Sequence, residues 1–320
     1  MRLREPGCDS GAALVDRVTP SEGHRAHRGS IIRFILAPMS PTVVPAPKQG
    51  PPPPGPKLAI PWRYATANLR PLPDFVILGT QRGGTTSLYM WLRSHPNMSP
   101  ALKKEIHFFD VHYDKGTRWY RSRFPLARRG QITGDASPYM LFHPLAPARA
   151  AQVLPERTRF IILLREPVQR TISHYWFSRR LTRWETEPIE RAIALEPERL
   201  AGETDRVKRG ERSFAHATYS YLARSEYAGQ VESWFNAVGR ERILIIESEK
   251  LYSDPAATTK VIEWLGLDPH HVEYPAFNQS KRLDTETPEL LAQLHEHFEP
   301  HNRKLFDLLG YELWTDLPEA

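Results

Sequence analysis

The chain has 320 residues, 40% hydrophobic and 25% charged, which suits one large domain or two small ones with a sizeable core and argues against wholesale disorder. It has no apolar run approaching about 18 residues, so an integral membrane segment is excluded. Its one cysteine, Cys8, excludes an internal disulfide framework or a cysteine-based zinc site and points to a reducing, cytoplasmic setting. The formal charge of +6 is local: residues 1–73 hold ten of the 43 Lys/Arg and four of the 37 Asp/Glu, leaving 33 of each beyond. The neutral body has no general polyanion-binding face, so nucleic acid is not an expected partner.

Fourteen of the thirty prolines precede residue 74, including Pro51–Pro54. Residues 1–70 therefore read as a disordered, Pro-rich basic extension. The apolar run Ile31–Ala37 is too short, and too far from the start, for a secretion signal. From residue 74 the pattern changes. Asp74–Gly79 and Arg159–Leu164 read as buried strands, as does Arg242–Ile246. Helices are predicted over Thr85–Arg93, Glu185–Leu195, Tyr219–Ala237, Pro255–Leu265 and Pro288–Leu309, with Pro167 opening another after the second strand. Strands alternating with helices predict one α/β domain over residues 74–315, its parallel sheet covered on both faces.

The segment Gly79-Thr-Gln-Arg-Gly-Gly-Thr-Thr-Ser87 joins a strand to a helix. Glycines here let the backbone approach a ligand, and the helix start beyond offers unpaired N–H groups, which together make a phosphate cradle. Gly79, Gly84 and Thr86 fit the spacing of the nucleotide-binding pattern G-x-x-x-x-G-K-[ST]. Thr85, however, stands in the lysine's place, and the long cation is Arg82 inside the loop. The loop suits a nucleotide with a 5′ anion but no triphosphate. After the second strand comes Arg165-Glu-Pro-Val-Gln-Arg170-Thr-Ile-Ser173. Arg165 leaves the sheet at its C-terminal edge, where such sheets bind ligands, and Ser173 can turn back to the same point. Arg170 and Glu166 read as solvated surface charges. Two anion grips imply a nucleotide phosphorylated at two places.

With both segments in view, the chain resembles the PAPS-dependent carbohydrate sulfotransferases, above all the heparan sulfate N- and 3-O-sulfotransferase group. The likeness runs over Phe75–Tyr89, Arg165–Ser173, Lys104-Glu-Ile-His-Phe-Phe-Asp110 with Gly116–Tyr120, and Leu294–Phe306. It implies a P-loop-like sulfotransferase fold. It also implies PAPS as co-substrate, PAP as product, no metal, and a small-molecule or glycan acceptor. Residues Arg82, Gly83, Gly84, Thr85, Thr86 and Ser87 would then hold the 5′-phosphosulfate, and Arg165 and Ser173 the 3′-phosphate. Lys281 and Arg282 match a further phosphate loop. Glu105 matches the family's catalytic base, with His107 supporting it and Asp110 orienting the centre. Partial burial beside Ile106-His-Phe-Phe is expected to raise the Glu105 pKa. The family commonly has lysine where Arg82 stands; arginine keeps the charge but cannot yield a proton.

The resulting expectation is transfer of a sulfuryl group from PAPS to a hydroxyl, with an amine as second choice, of a carbohydrate, glycolipid or similar acceptor. The alternatives are a P-loop kinase, disfavoured by Thr85 and by the lack of a strand-end aspartate for magnesium, and a non-catalytic nucleotide-binding interaction module. The neutral body argues against a long, highly sulfated acceptor. His297 and His301 have an i, i+4 spacing that metals use, but without a neighbouring ligand motif they read as a solvated helix face.

Overall fold

Four short strands pair in parallel in the order β2-β1-β3-β4: β1 (Phe75–Gly79), β2 (Gly134–Ala136), β3 (Arg159–Leu164) and β4 (Ile243–Glu247). The structure, a computed structural model, describes residues 59–269 and 286–315, all within one compact unit. Among the described residues, six longer helices surround the sheet. They are α1 (Thr85–Arg93), α2 (Ala146–Val153), α3 (Pro167–Trp176), α4 (Tyr227–Val238), α5 (Pro255–Leu265) and α6 (Pro288–Leu309).

Alternation along the strands sends neighbouring side chains to opposite faces. Val76, Leu78, Phe160, Ile162 and Leu164 pack with α2, α4 and α6, where Tyr227, Val231, Trp234 and Leu305 meet them. Phe75, Ile77, Ile161, Leu163, Leu244 and Ile246 pack on the other face with Leu88 and Trp91 of α1 and Val261 and Leu265 of α5. Each such large apolar side chain contributes roughly 1.5–3 kcal/mol on full burial. The expected sheet with helices on both faces is thus observed. A third cluster joins α3 to α6 through Val168, Tyr175, Leu290, Leu294 and Phe298.

Local chemistry sets the helix ends. Glu166 accepts from the N–H groups of Val168 (2.9 Å) and Gln169 (2.7 Å), ahead of Pro167 at the first turn of α3. Asp254 caps α5 and Thr287 caps α6, while the left-handed glycines Gly266 and Gly310 end them.

Several expectations need correction. Residues 59–70 are folded rather than part of an extension: Ala59–Ala65 is helical, and the Arg63 and Arg70 side chains donate to the Phe124 carbonyl. The rest of the expected extension, residues 1–58, lies outside the described residues. The helix expected over Glu185–Leu195 covers only Ile189–Ala194, because Glu185 is buried and occupied by Arg199, Tyr221 and the backbone of Thr186 and Glu187. The helix expected from Tyr219 begins at Tyr227. Arg170 is fully buried, not a surface charge: it donates to Ser225 Oγ and to the Tyr221 carbonyl. Glu166 is a helix cap rather than a free charge. Among the described residues, no helix is long and apolar enough to cross a membrane.

Candidate active site

Because the strands are parallel, their C-terminal ends share one edge, and the loops leaving β1, β2, β3 and β4 meet there. The β1–α1 loop lies at the centre of that edge. Thr80 N–H donates to the Leu163 carbonyl at 2.7 Å, tying the loop to β3. Ser248, just past β4, donates from its hydroxyl to the Gly83 carbonyl at 2.8 Å. A Cβ on Gly83 would lie 2.7 Å from Thr80 Cγ2, so the loop closes this tightly only with glycine there. Gly84, at φ +83°, turns the chain into α1. Thr85 and Ser87 are buried in the first turn, and Tyr252 donates to Ser87 Oγ at 3.0 Å. Thr86 is half-buried. This start of α1 directs its backbone N–H groups to the loop side.

The two predicted anion grips are adjacent. Arg82 Nε donates to Ser173 Oγ at 3.0 Å, and Arg165 Nη1 donates to the Arg82 carbonyl at 3.2 Å. Arg82 lies over the Phe177 ring, with its guanidinium carbon 5.0 Å from the centroid, and forms no ion pair among the described residues. Burial lowers the Arg82 pKa, and the nearby Arg165 charge lowers it further. Two crowded arginines, with the Glu249 carboxylate 3.9 Å from Arg165 as a distant partner, leave net positive charge where an anion would be welcome. Lys281 and Arg282 lie outside the described residues.

At the end of β2 a second constellation forms. Glu105 N–H donates to the Ala136 carbonyl at 3.1 Å, and His107 N–H donates to Ser137 Oγ at 2.9 Å. Ser137 in turn donates to Asp135 at 3.1 Å, as does Tyr120. Burial pushes the Asp135 carboxyl up to about 6. The side chains converge too. Lys104 Nζ is 2.6 Å from Glu105 Oε1, His107 Nε2 is 3.5 Å from Glu105 Oε2, and His107 Nδ1 is 2.8 Å from Asp110 Oδ2.

The expected rise in the Glu105 pKa is not observed. Burial does press it upward, but the hydrogen bond from His107 and the charge and hydrogen bond of Lys104 outweigh burial and hold it at about 2. For His107, burial pulls downward, but the hydrogen bonds to Asp110 and Glu105 prevail and lift the imidazole to about 10. At neutral pH the centre is therefore an ionised carboxylate flanked by two cations. Its side chain stays 45% exposed, open to an incoming molecule.

Backbone strain marks the same residues. Arg82, Glu105 and His107 adopt positive φ (72°, 62° and 56°), which non-glycine residues do at a cost of order 1–3 kcal/mol.

Arg224, which the sequence groups with Tyr227 and Trp234 on one expected helix without a site role, belongs to the site. Arg224, buried, donates to Gln81 Oε1 of the loop and to the carbonyls of His216 and Ala217, and it stacks on Tyr139 and Phe142. Beside it a cleft of about 310 Å³ is lined by Phe142, His143, His216, Glu226 and Gln230. No local motif announces Arg224; its one signal is an arginine within an apolar, aromatic-rich stretch.

The sulfotransferase domain family matches residues 72–306, nearly three quarters of the chain. Among curated relatives, heparan sulfate glucosamine 3-O-sulfotransferase 3B1 of Mus musculus is 28% identical over 282 residues, covering 79% of this chain and 67% of its own. The 3A1 enzyme of Homo sapiens is 29% identical over 270 residues, covering 77% and 63%. This chain thus spans about two thirds of the length of those relatives. A sulfotransferase from Alicyclobacillus acidocaldarius, known from its crystal structure, superimposes with a TM-score of 0.59 at 28% identity, covering 76% of this chain and 98% of that one. The family match, the parallel sheet and its basic loop together establish that the chain belongs to the sulfotransferase domain family and is a sulfotransferase.

Proposed function

We propose that the enzyme moves a sulfuryl group from PAPS to a hydroxyl, in preference to an amine, of a carbohydrate, glycolipid or similar acceptor. The observation that carries the donor assignment is the meeting of Arg82, Arg165 and Ser173 at the sheet edge, within 3.0–3.2 Å contacts, beside a glycine cradle. That donor set fits a nucleotide with two separate anionic groups and no triphosphate. Gly83, Gly84, Thr85, Thr86 and Ser87, through the loop and the start of α1, would hold the 5′ side, and Arg165 with Ser173 the 3′-phosphate. When bound, PAPS supplies the transferable sulfuryl group, and the departing PAP carries the negative charge that develops.

Arg82 stabilises that charge without giving up a proton, since guanidinium remains protonated. Glu105, ionised and exposed, accepts the acceptor's proton at a carboxylate oxygen. An acceptor hydroxyl that takes over the Lys104 contact would remove part of what holds the carboxyl at about 2 and so strengthen it as a base. His107 and Asp110 orient the carboxylate. The carbohydrate assignment rests on the relatives named for heparan sulfate glucosamine.

The test is calorimetric titration of the full chain with PAP, with ATP–magnesium for comparison. PAP binding that weakens at least about tenfold in Arg165→Ala is expected, a charged, hydrogen-bonded contact being worth about 1.5–3 kcal/mol. Binding of ATP–magnesium with indifference to PAP would overturn the proposal.

A further inference from the structure

Away from the sheet edge, α6 crosses the start of α4, and three metal-ligand side chains converge there. Glu226 immediately precedes α4, and His297 and His301 stand one turn apart on α6. His297 Nε2 lies 3.2 Å from Glu226 Oε1, and His301 Nε2 lies 3.8 Å from the same oxygen. One donor atom from each of the three lies within 4.8 Å of the others. The reading of the two histidines as a solvated helix face is therefore corrected: spacing along one helix cannot reveal a carboxylate brought in by another. All three side chains are half-buried, so they are held in place yet reachable from solvent.

We propose that Glu226, His297 and His301 bind a divalent transition-metal ion, with zinc the best match. Donor atoms about 2.0–2.2 Å from a tetrahedral ion are roughly 3.4 Å apart; the 3.2 and 3.8 Å separations from Glu226 Oε1 bracket that spacing, and the two imidazole donors lie within 4.8 Å of each other. Two imidazoles and one carboxylate favour zinc and its neighbours over magnesium or calcium, which prefer oxygen donors. Three protein ligands leave a fourth position for water. Without an ion, one carboxylate oxygen must serve two imidazoles, and it reaches the second only at 3.8 Å. With an ion, each side chain contributes one bond.

The consequence is mechanical. The ion ties the middle of α6 to the start of α4, and α6 also packs on α3, which carries Ser173. Binding only the folded arrangement, the ion raises stability by mass action. Glu226 also lines the cleft beside Arg224, but none of the three ligands belongs to the donor loop, and the proposal stands whether or not the donor is PAPS.

The experiment is titration of the chelator-treated full chain with Zn²⁺, read by calorimetry and by Tm. Wild type is compared with the His297→Ala/His301→Ala double variant and with His295→Ala, an exposed histidine on the same helix. One ion per chain and a Tm increase are expected in wild type and His295→Ala. In the double variant both should fall away, with affinity at least about tenfold weaker, since losing direct ligands costs no less than losing their supports. Should the double variant fold poorly without metal, Glu226→Gln replaces it with the same expectation. Equal zinc affinity and equal Tm response in wild type and ligand variants would overturn the proposal, as would absence of zinc binding by wild type.

Discussion

Asp110→Asn isolates the contribution of one buried carboxylate to the charge on His107. Asp110 Oδ2 is 2.8 Å from His107 Nδ1, its other oxygen accepts the Val111 N–H at 2.9 Å, and its side chain has 0% exposure. Asparagine keeps the shape and an acceptor while removing the charge. An opposite charge this close supports the protonated imidazole by roughly 1–3 pKa units, or about 1.4–4 kcal/mol. His107 is itself 28% exposed, so solvent trims that range without abolishing it. Because folding raises the His107 pKa from 6.5 to about 10, its stabilisation is complete below pH 6.5 and is lost as pH climbs towards 10. The stability gap between wild type and Asp110→Asn should therefore be largest near pH 6 and shrink by at most about 1.4–4 kcal/mol as pH passes 10. Urea unfolding at the two pH values measures the gap, and NMR titration of the His107 ring, assigned by its loss in His107→Gln, measures the pKa. A gap that does not change with pH, or a ring that titrates identically in both proteins, would refute the reasoning.

Glu105→Gln should lower kcat by about 10²–10⁴-fold, the usual weight of a general base, while leaving PAP affinity within about twofold. Steady-state kinetics beside PAP calorimetry check this, and turnover within tenfold of wild type would remove Glu105 from the chemistry. Gly134→Ala places a methyl against the Phe75 ring between β2 and β1. Overpacking of this kind should cost about 1–3 kcal/mol in urea unfolding, whereas unchanged stability would mean that the β2 edge yields freely.

Most of the framework was legible because its punctuation is local. Pro255 and Pro288 at first turns, and Gly266 and Gly310 at ends, placed α5 and α6 at their observed bounds. Strand β3 could be read from its continuous apolar run. Strand β2 could not: three residues, Gly134-Asp-Ala136, are too few to show a period. The false helix start at Tyr219 has a tertiary cause. Buried Arg170 and the Thr171 hydroxyl capture the Tyr221 carbonyl, which a helix from Tyr219 would otherwise use. In the site, Arg165 and Ser173 could be brought to one point from the strand end and helix spacing, whereas the bond from Arg82 to Ser173 could not be read. Nor could the low pKa of Glu105, because it depends on side-chain contacts with Lys104 and His107 that sequence adjacency does not reveal.

The positive φ angles of Arg82, Glu105 and His107 bear on how this protein would respond to selection for heat resistance. Glycine would relax the backbone at Arg82, which is crowded by Arg165 and has no ion pair among the described residues, so a screen rewarding survival at high temperature alone should drift toward glycine or asparagine there. Glu105 and His107 should resist that drift, because each is held by charged partners. Thermal selection of this enzyme therefore needs a concurrent requirement for turnover, or the first residue it discards will be the cation at the centre of the sheet edge.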